Sequence, residues 1–357
     1  MAAADRSTVP ADIVLASSEA LTSLYELRGA CEGAQCGSHI VVHKATGQRF
    51  CLRTFTDTEL RGRKYAELAE AIAAQRRIAE ASSQDDGAHL ASARLANLHE
   101  VLRSPQGHHL VSELAPTGGS VSDDLLSLLQ RRGRLSEADA RAIFLRLVVA
   151  TKRAHDARTV LRSLKPETVQ VRQREAGAPF EVCITDLSCA ARVAHAAGED
   201  DELVASLTGL HGTPEYAAPE VVIWYWRELV PPRLPEPPPA YGAKADVWAL
   251  GMLLHVMLCG CFPFDSSLPD EELLRAINAA DFAYTDPGWA RLSAEALELV
   301  GRLLRRDPEE RPYLEEVLQH AFCAGAMQEA AVAESQITLP SNAFDAALDE
   351  LDALGDA

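Results

Sequence analysis

The sequence predicts an α+β fold in two unequal parts, and three observations carry that prediction. Residues from about Leu21 to Leu114 read as short β-branched and apolar runs divided by turns, with one long Ala-, Leu-, Glu- and Arg-rich stretch between them. Beyond Pro116 apolar residues recur at three- and four-residue spacing, the period of helices packed on a core. At 357 residues, with 47% apolar and 24% charged side chains, the chain has enough apolar surface for a substantial core and is not disordered.

In chain order, the first twenty residues are small and polar and read as a loose arm. Ile40-Val41-Val42 is a β-branched strand, Ala45-Thr46-Gly47-Gln48 is turn chemistry, and Phe50-Cys51-Leu52 begins the next strand. Asp57 to about Ala81 contains no Pro, and no Gly after Gly62, so a helix is expected there. Ser82 to Ala88 is a polar break. Strands follow at Leu98–Leu102 and His109–Leu114, joined by Ser104-Pro105-Gln106-Gly107. Ser120–Arg131 and Ser136–His155 carry helical spacing, and Ser136 with Asp139 three residues on forms an N-cap-like start. Leu187 to Glu220 is a long loop with an acidic stretch at Gly198–Glu202. Pro-rich residues 231–239 form an extended insertion, and Ala243 to Phe322 is helical again. No repeat of fixed period is evident.

The formal net charge of −18 argues against a nucleic-acid or anionic-membrane surface, since both need clustered Lys and Arg. Seven acidic residues and no Lys or Arg lie beyond Ala324. The eight cysteines include no paired C-x-x-C units and no zinc-site spacing, so free thiols in a reducing compartment are expected. The N-terminus lacks the apolar core of a secretory signal, and the longest apolar run, about Ala249 to Leu258, is too short to span a bilayer. These readings place the protein in the cytoplasm or nucleus.

Four motifs in order give the fold class a family. Gly212-Thr213-Pro214-Glu215-Tyr216-Ala217-Ala218-Pro219-Glu220 resembles G-T-x-x-Y-x-A-P-E, and Asp246-Val247-Trp248-Ala249-Leu250-Gly251 resembles D-x-W-S-x-G. Gly260-x-x-Pro263-Phe264 and Arg306-Asp307-Pro308-Glu309-Glu310-Arg311-Pro312 complete the series. The chain thereby resembles the protein kinase superfamily, serine/threonine-kinase-like and near the calcium/calmodulin-dependent group. The resemblance implies a bilobal domain over residues 21–323, with a small β-rich N-lobe at 21–115 and a larger helical C-lobe at 116–323, followed by an acidic tail at 324–357. It also implies a buried ion pair between Glu220 and Arg311, a substrate loop at Thr213, and a structural role for Asp246.

The chemical motifs depart from the same family. Leu161-Arg162-Ser163-Leu164-Lys165-Pro166-Glu167-Thr168 resembles H-R-D-L-K-P-E-N, in which the Asp accepts the proton of the attacking hydroxyl and the Asn holds magnesium. Ser163 does not titrate near neutral pH, and Thr168 offers only a weak neutral ligand. Lys165 stands where the family contacts the transferring phosphate. Asp186-Leu187-Ser188 replaces D-F-G and keeps the main magnesium-binding carboxylate. Phe50-Cys51-Leu52-Arg53 resembles V-A-I-K with Arg53 at the Lys position, a wide fork in place of a point charge. Its partner is expected on the following helix, Glu70 first, with Glu67 and Glu80 as alternatives. Of the G-x-G-x-x-G-x-V loop only Gly33 matches, with Gly37 one place late and Glu32 beside the phosphate path. Leu110 to Ala115 resembles the hinge that receives adenine, with Ser112 a small gatekeeper and Glu113 to Ala115 offering backbone groups.

Two functions follow from that mixture. One is a pseudokinase scaffold or regulator in signalling, and the other is a divergent serine/threonine kinase using ATP and Mg2+. His211-Gly212-x-Pro214-x-Tyr216-x-x-Pro219-Glu220 after an acidic stretch resembles the Tribbles pseudokinases loosely, although Asp186 is kept here. Partner proteins are expected to bind the acidic tail at 334–354 or the proline-rich insertion at 231–239. Phe344, Leu348 and Leu351 share one face of an acidic helix in that tail, which a free solvated tail would equally accommodate.

Overall fold

The coordinates form a computed structural model that describes residues 14–15, 18–30, 38–60, 63–83, 90–115, 120–195, 203–209, 211–229, 238–265, 267–280 and 289–326. Gly33, the acidic stretch 198–202, the proline-rich 231–237 and the tail from 327 lie outside the described residues.

Alternation in the N-terminal third builds a six-stranded sheet in the order β1-β6-β7-β4-β3-β2. Its strands are β1 (Val14–Leu15), β2 (Tyr25–Ala30), β3 (Ser38–His43), β4 (Arg49–Phe55), β6 (Leu98–Ser104) and β7 (Gly107–Glu113). Val41, Phe50, Leu52, Leu102 and Val111 point to one buried face. Helix α2 (Arg63–Ser83) covers the opposite face through Leu68 and Ile72, which pack on Val101 and Leu110. Helix α1 (Ser18–Leu24) precedes β2 in the same lobe.

The second sheet has the order β5-β11-β10-β8, from β5 (Ala93–Leu95), β8 (Val121–Asp124), β10 (Val169–Gln173) and β11 (Phe180–Ile184), and β9 (Thr159–Val160) pairs separately with β12 (Ala191–Arg192). The four-stranded sheet lies at the junction of the lobes, because β5 precedes β6 by only two residues and pairs with β11. Arg146 Nε on α4 (Glu137–Asp156) donates to Ser92 Oγ at 2.8 Å, and Arg153 donates to the carbonyls of Leu90 and Ala93, which ties this crossing to the helical lobe.

Below these sheets lie α3 (Leu125–Arg132), α4, α5 (Pro219–Leu229), α6 (Lys244–Cys259), α7 (Asp270–Ala279), α8 (Ala294–Leu303) and α9 (Leu314–Gln319). Every residue of α6 from Ala245 to Leu258 is buried, so this helix is the axis of the lobe, with apolar side chains on all sides. Gly251 permits the closest packing on it. A Cβ there would stand 2.8 Å from Leu303 Cβ and 2.8 Å from Leu304 Cδ2. The α+β, two-lobed prediction is therefore the observed architecture.

Three boundaries differ from the sequence reading, each for a local reason. The segment through residue 20 is not a loose arm throughout, since Val14–Leu15 pairs in parallel with Leu102–Arg103 and α1 follows. The helix expected from Asp57 is described from Arg63, because the Thr56 N–H donates to Glu59 Oε2 at 2.7 Å and closes a turn first. The helix expected from Ser120 begins at Leu125. Val121–Asp124 pair with β10, and the Asp124 carboxylate then accepts from Ser127 N at 2.8 Å as the N-cap. Ser136 caps α4 as read, accepting from Asp139 N at 3.1 Å.

The ion pair implied between Glu220 and Arg311 is formed and bidentate. Arg311 Nη1 and Nη2 each donate to a Glu220 oxygen at 2.7 Å. The guanidinium also donates to the carbonyls of Lys244, Arg305 and Arg306, so all of its donors are used while its side chain is fully buried. Removing one partner leaves an uncompensated buried charge. Glu220→Ala is therefore expected to lower the unfolding free energy by about 3–5 kcal/mol, read as a fall in the urea midpoint with an unchanged slope.

Candidate functional site

The two lobes enclose a cleft of about 550 Å³. Ile40, Cys51 and Arg53 line it from the upper sheet, Ser112 to Ala115 from the crossing strand, and Thr168, Gln170 and Asp186 from below. Five candidates singled out from sequence, Arg53, Glu113, Ala115, Thr168 and Asp186, thus meet in one cavity. Ser163 and Thr213 do not line it. They border a smaller hollow beneath, with Arg162, Tyr216 and Asp246.

The floor is built around Asp246. Arg162 adopts a left-handed backbone with φ 61°, unusual for a residue with a side chain. Asp246, 1% exposed in the first turn of α6, accepts from Leu161 N at 2.8 Å, Arg162 N at 2.9 Å and His155 Nε2 at 2.9 Å. A buried carboxylate needs such donors, and a strained backbone needs such an anchor. Gly212 completes the contact from the other side. At φ +88° it lies so close that a Cβ would collide with the Arg162 carbonyl. Arg162 Nε donates to the Cys189 carbonyl at 2.6 Å, and Tyr241 Oη donates to the Gly209 carbonyl at 3.2 Å. These contacts bind the 161–168 loop to the segments that follow Asp186.

The loop's polar groups face inward. Ser163 Oγ donates to the Asp186 carbonyl at 2.8 Å. Thr168 Oγ1 lies 3.1 Å from the Ser163 carbonyl and 2.9 Å from that of Lys165, and it accepts the Lys165 N–H at 3.2 Å. Lys165 Nζ stands 4.0 Å from Glu167 Oε1.

Arg53 does not meet Glu70. Its Nη1 crosses the cleft to Asp186 Oδ1 at 2.8 Å and to Ser188 Oγ at 3.0 Å, while its guanidinium carbon lies 4.8 Å from the Phe55 ring centroid. Glu70 instead pairs with Arg77 at 3.1 Å and accepts Arg192 N at 2.9 Å. Of the two alternatives, Glu67 stands 3.9 Å from His211 Nε2. Glu113 pairs with Arg94, and its N–H donates to the Asn97 carbonyl at 2.8 Å. From sequence, Ser188 belongs to the D-F-G-like motif, with no contact to Arg53 assigned. Its position two residues beyond Asp186 was the available signal.

The implied magnesium pair does not fit these residues. Asp186 Oδ2 is a buried acceptor without a partner, which suits a donor or a cation. Oδ1, however, is held by Arg53 and Ser188 N, and Thr168 Oγ1 is turned into its own loop. Among the described residues no three His, Cys, Asp or Glu side chains converge to hold a metal ion.

A β-sheet lobe over a helical lobe, with a cleft between them and an anchored loop on its floor, defines a protein kinase domain. The chain belongs to the protein kinase family, whose protein kinase domain model matches residues 32–323. It is 30% identical over 314 residues to human calcium/calmodulin-dependent protein kinase type 1B, covering 86% of this chain and 77% of that protein. It is 27% identical over 301 residues to human serine/threonine-protein kinase DCLK3 and 28% identical over 236 residues to mouse calcium/calmodulin-dependent protein kinase type IV. The chain spans only 40% and 44% of the length of these two relatives. It thus lies near the calcium/calmodulin-dependent group.

Two outcomes follow from this geometry. Asp246→Ala strands two buried backbone N–H groups and removes the anchor of Arg162, so a loss of about 2–6 kcal/mol is expected, at about 1–3 kcal/mol per orphaned donor, measured by chemical denaturation. Cys183 is buried in β11, and burial pushes its thiol from 9.0 up to about 12. The folded state therefore disfavours the thiolate. Its contribution to stability is complete below about pH 9 and fades as pH rises toward 12. Iodoacetamide mapping at pH 8 is expected to leave Cys183 unmodified until the chain is unfolded.

Proposed function

We propose that this chain is a kinase-fold regulator, a pseudokinase scaffold in signalling with little or no phosphoryl transfer. The observation that carries the reading is the hydroxyl of Ser163. It stands where the related motif has an Asp, it donates to the Asp186 carbonyl at 2.8 Å, and it does not line the cleft. A hydroxyl holds its proton at neutral pH, and loss of a positioned base lowers rates by about 10²–10⁴-fold. The engaged Asp186 Oδ1 and the inward Thr168 hydroxyl support the same reading.

The contacts that hold the fold are complete where the chemical ones are altered. Asp246 has its three donors and Arg311 its carboxylate and carbonyls. A scaffold needs that rigidity and no proton acceptor. Partner proteins then engage the acidic tail at 334–354 or the proline-rich insertion at 231–239, in the cytoplasm or nucleus. Phe344, Leu348 and Leu351 suit an apolar groove with a basic rim.

A second reading, a divergent serine/threonine kinase using ATP and Mg2+, is favoured by the retained Asp186 in a nucleotide-sized cleft and by the kinases among its relatives. Radiolabelled ATP with magnesium separates the two. Incorporation into a mixed protein substrate is expected to stay at the level of the Asp186→Ala variant. Turnover that disappears in Asp186→Ala and Arg53→Ala would establish the enzyme instead.

A further inference from the structure

The geometry points to a cleft that takes a phosphate-bearing ligand, of the adenine nucleotide class, through Arg53 and without a divalent cation. The inference rests on the proposed loss of phosphoryl transfer, since transfer requires the metal with which this site dispenses.

Three observations support it. Arg53 is a fixed, permanently charged group at the Asp186 carboxylate, where a divalent ion would otherwise sit. A metal approaching Asp186 Oδ2 meets a guanidinium held at 2.8 Å on the other oxygen of the same carboxylate, and like charges repel. Among the described residues no further ligands converge there: Thr168 Oγ1 is bound to its own loop, Ser188 Oγ accepts from Arg53, and no cluster of three His, Cys, Asp or Glu side chains forms.

Arg53 also has donors to spare. Its bonds to Asp186 and Ser188 both leave from Nη1, and among the described residues Nε and Nη2 have no acceptor. The side chain is 24% exposed and lines the cleft, so its remaining donors are within reach of a ligand there. A planar pair of N–H donors matches two oxygens of a phosphate. The adjoining 550 Å³, bordered by Ile40, Leu114 and Ala115, has the size and partly apolar lining for a nucleoside.

The test is a calorimetric titration of the full chain with ATP, once with EDTA and once with excess magnesium. Binding is expected in EDTA, with magnesium tightening it by less than about tenfold or weakening it. Arg53→Ala is expected to weaken metal-free binding by at least about tenfold, the loss of a charge-assisted hydrogen bond. Asp186→Asn, which releases Arg53 and removes a negative charge, is expected to tighten it. Binding that appears only with magnesium, or that Asp186→Asn abolishes in a protein with a cooperative melting transition, overturns the inference. So does the absence of ATP binding by the folded wild-type chain in both buffers. Radiolabel incorporation reports separately on the loss of transfer, so the two readings fail by different measurements.

Discussion

The structure depends first on one buried carboxylate. Asp246 sits in the first turn of the fully buried helix α6 and accepts two consecutive backbone N–H groups, from Leu161 and Arg162. Those bonds hold Arg162 at a positive φ, and that turn sets where Ser163 to Thr168 lie. Charge burial is costly unless it is matched by donors, so the carboxylate and the loop each require the other. Gly212 and Tyr241 extend the constraint outward to the segments following Asp186. The cleft floor is therefore rigid for reasons independent of any chemistry performed on it.

On that floor the polar groups bond to the protein itself. Ser163 holds the Asp186 carbonyl, Thr168 closes its own turn, and Arg53 spans the lobes to the Asp186 carboxylate. In each case the polar group satisfies a neighbouring protein atom. The arginine bridge gains from its position. Its partner carboxylate is only 9% exposed, so the attraction is less screened than in a surface pair. It links upper sheet to lower lobe across 133 residues of sequence.

Much of this was legible in the chain. The Ser136 cap, the strand alternation around Val41 and Leu52, and the apolar run of α6 are local signals, readable because helix and strand periods are intrinsic to the backbone. The Glu220–Arg311 pair was legible only through the motif resemblance, since 91 residues separate its members. The start of α2 was missed because Thr56 to Leu60 closes a hydrogen-bonded turn of its own ahead of the helix. The start of α3 was missed because Val121–Asp124 found a strand partner, and pairing with β10 is a tertiary event.

The partner of Arg53 marks the boundary between what the two levels decide. By itself the sequence determined the two-lobed α+β class and the presence of Ser163 where the related motif has Asp, because these reside in residue identity and local periodicity. Only the tertiary structure decided that Arg53 reaches Asp186 while Glu70 turns to Arg77 and the Arg192 N–H. Glu70 and Arg77 lie two turns apart on one helical face and are neighbours whatever the lobes do. Arg53 and Asp186 meet only because the two lobes pack at one particular separation, and no pattern along the chain encodes that distance.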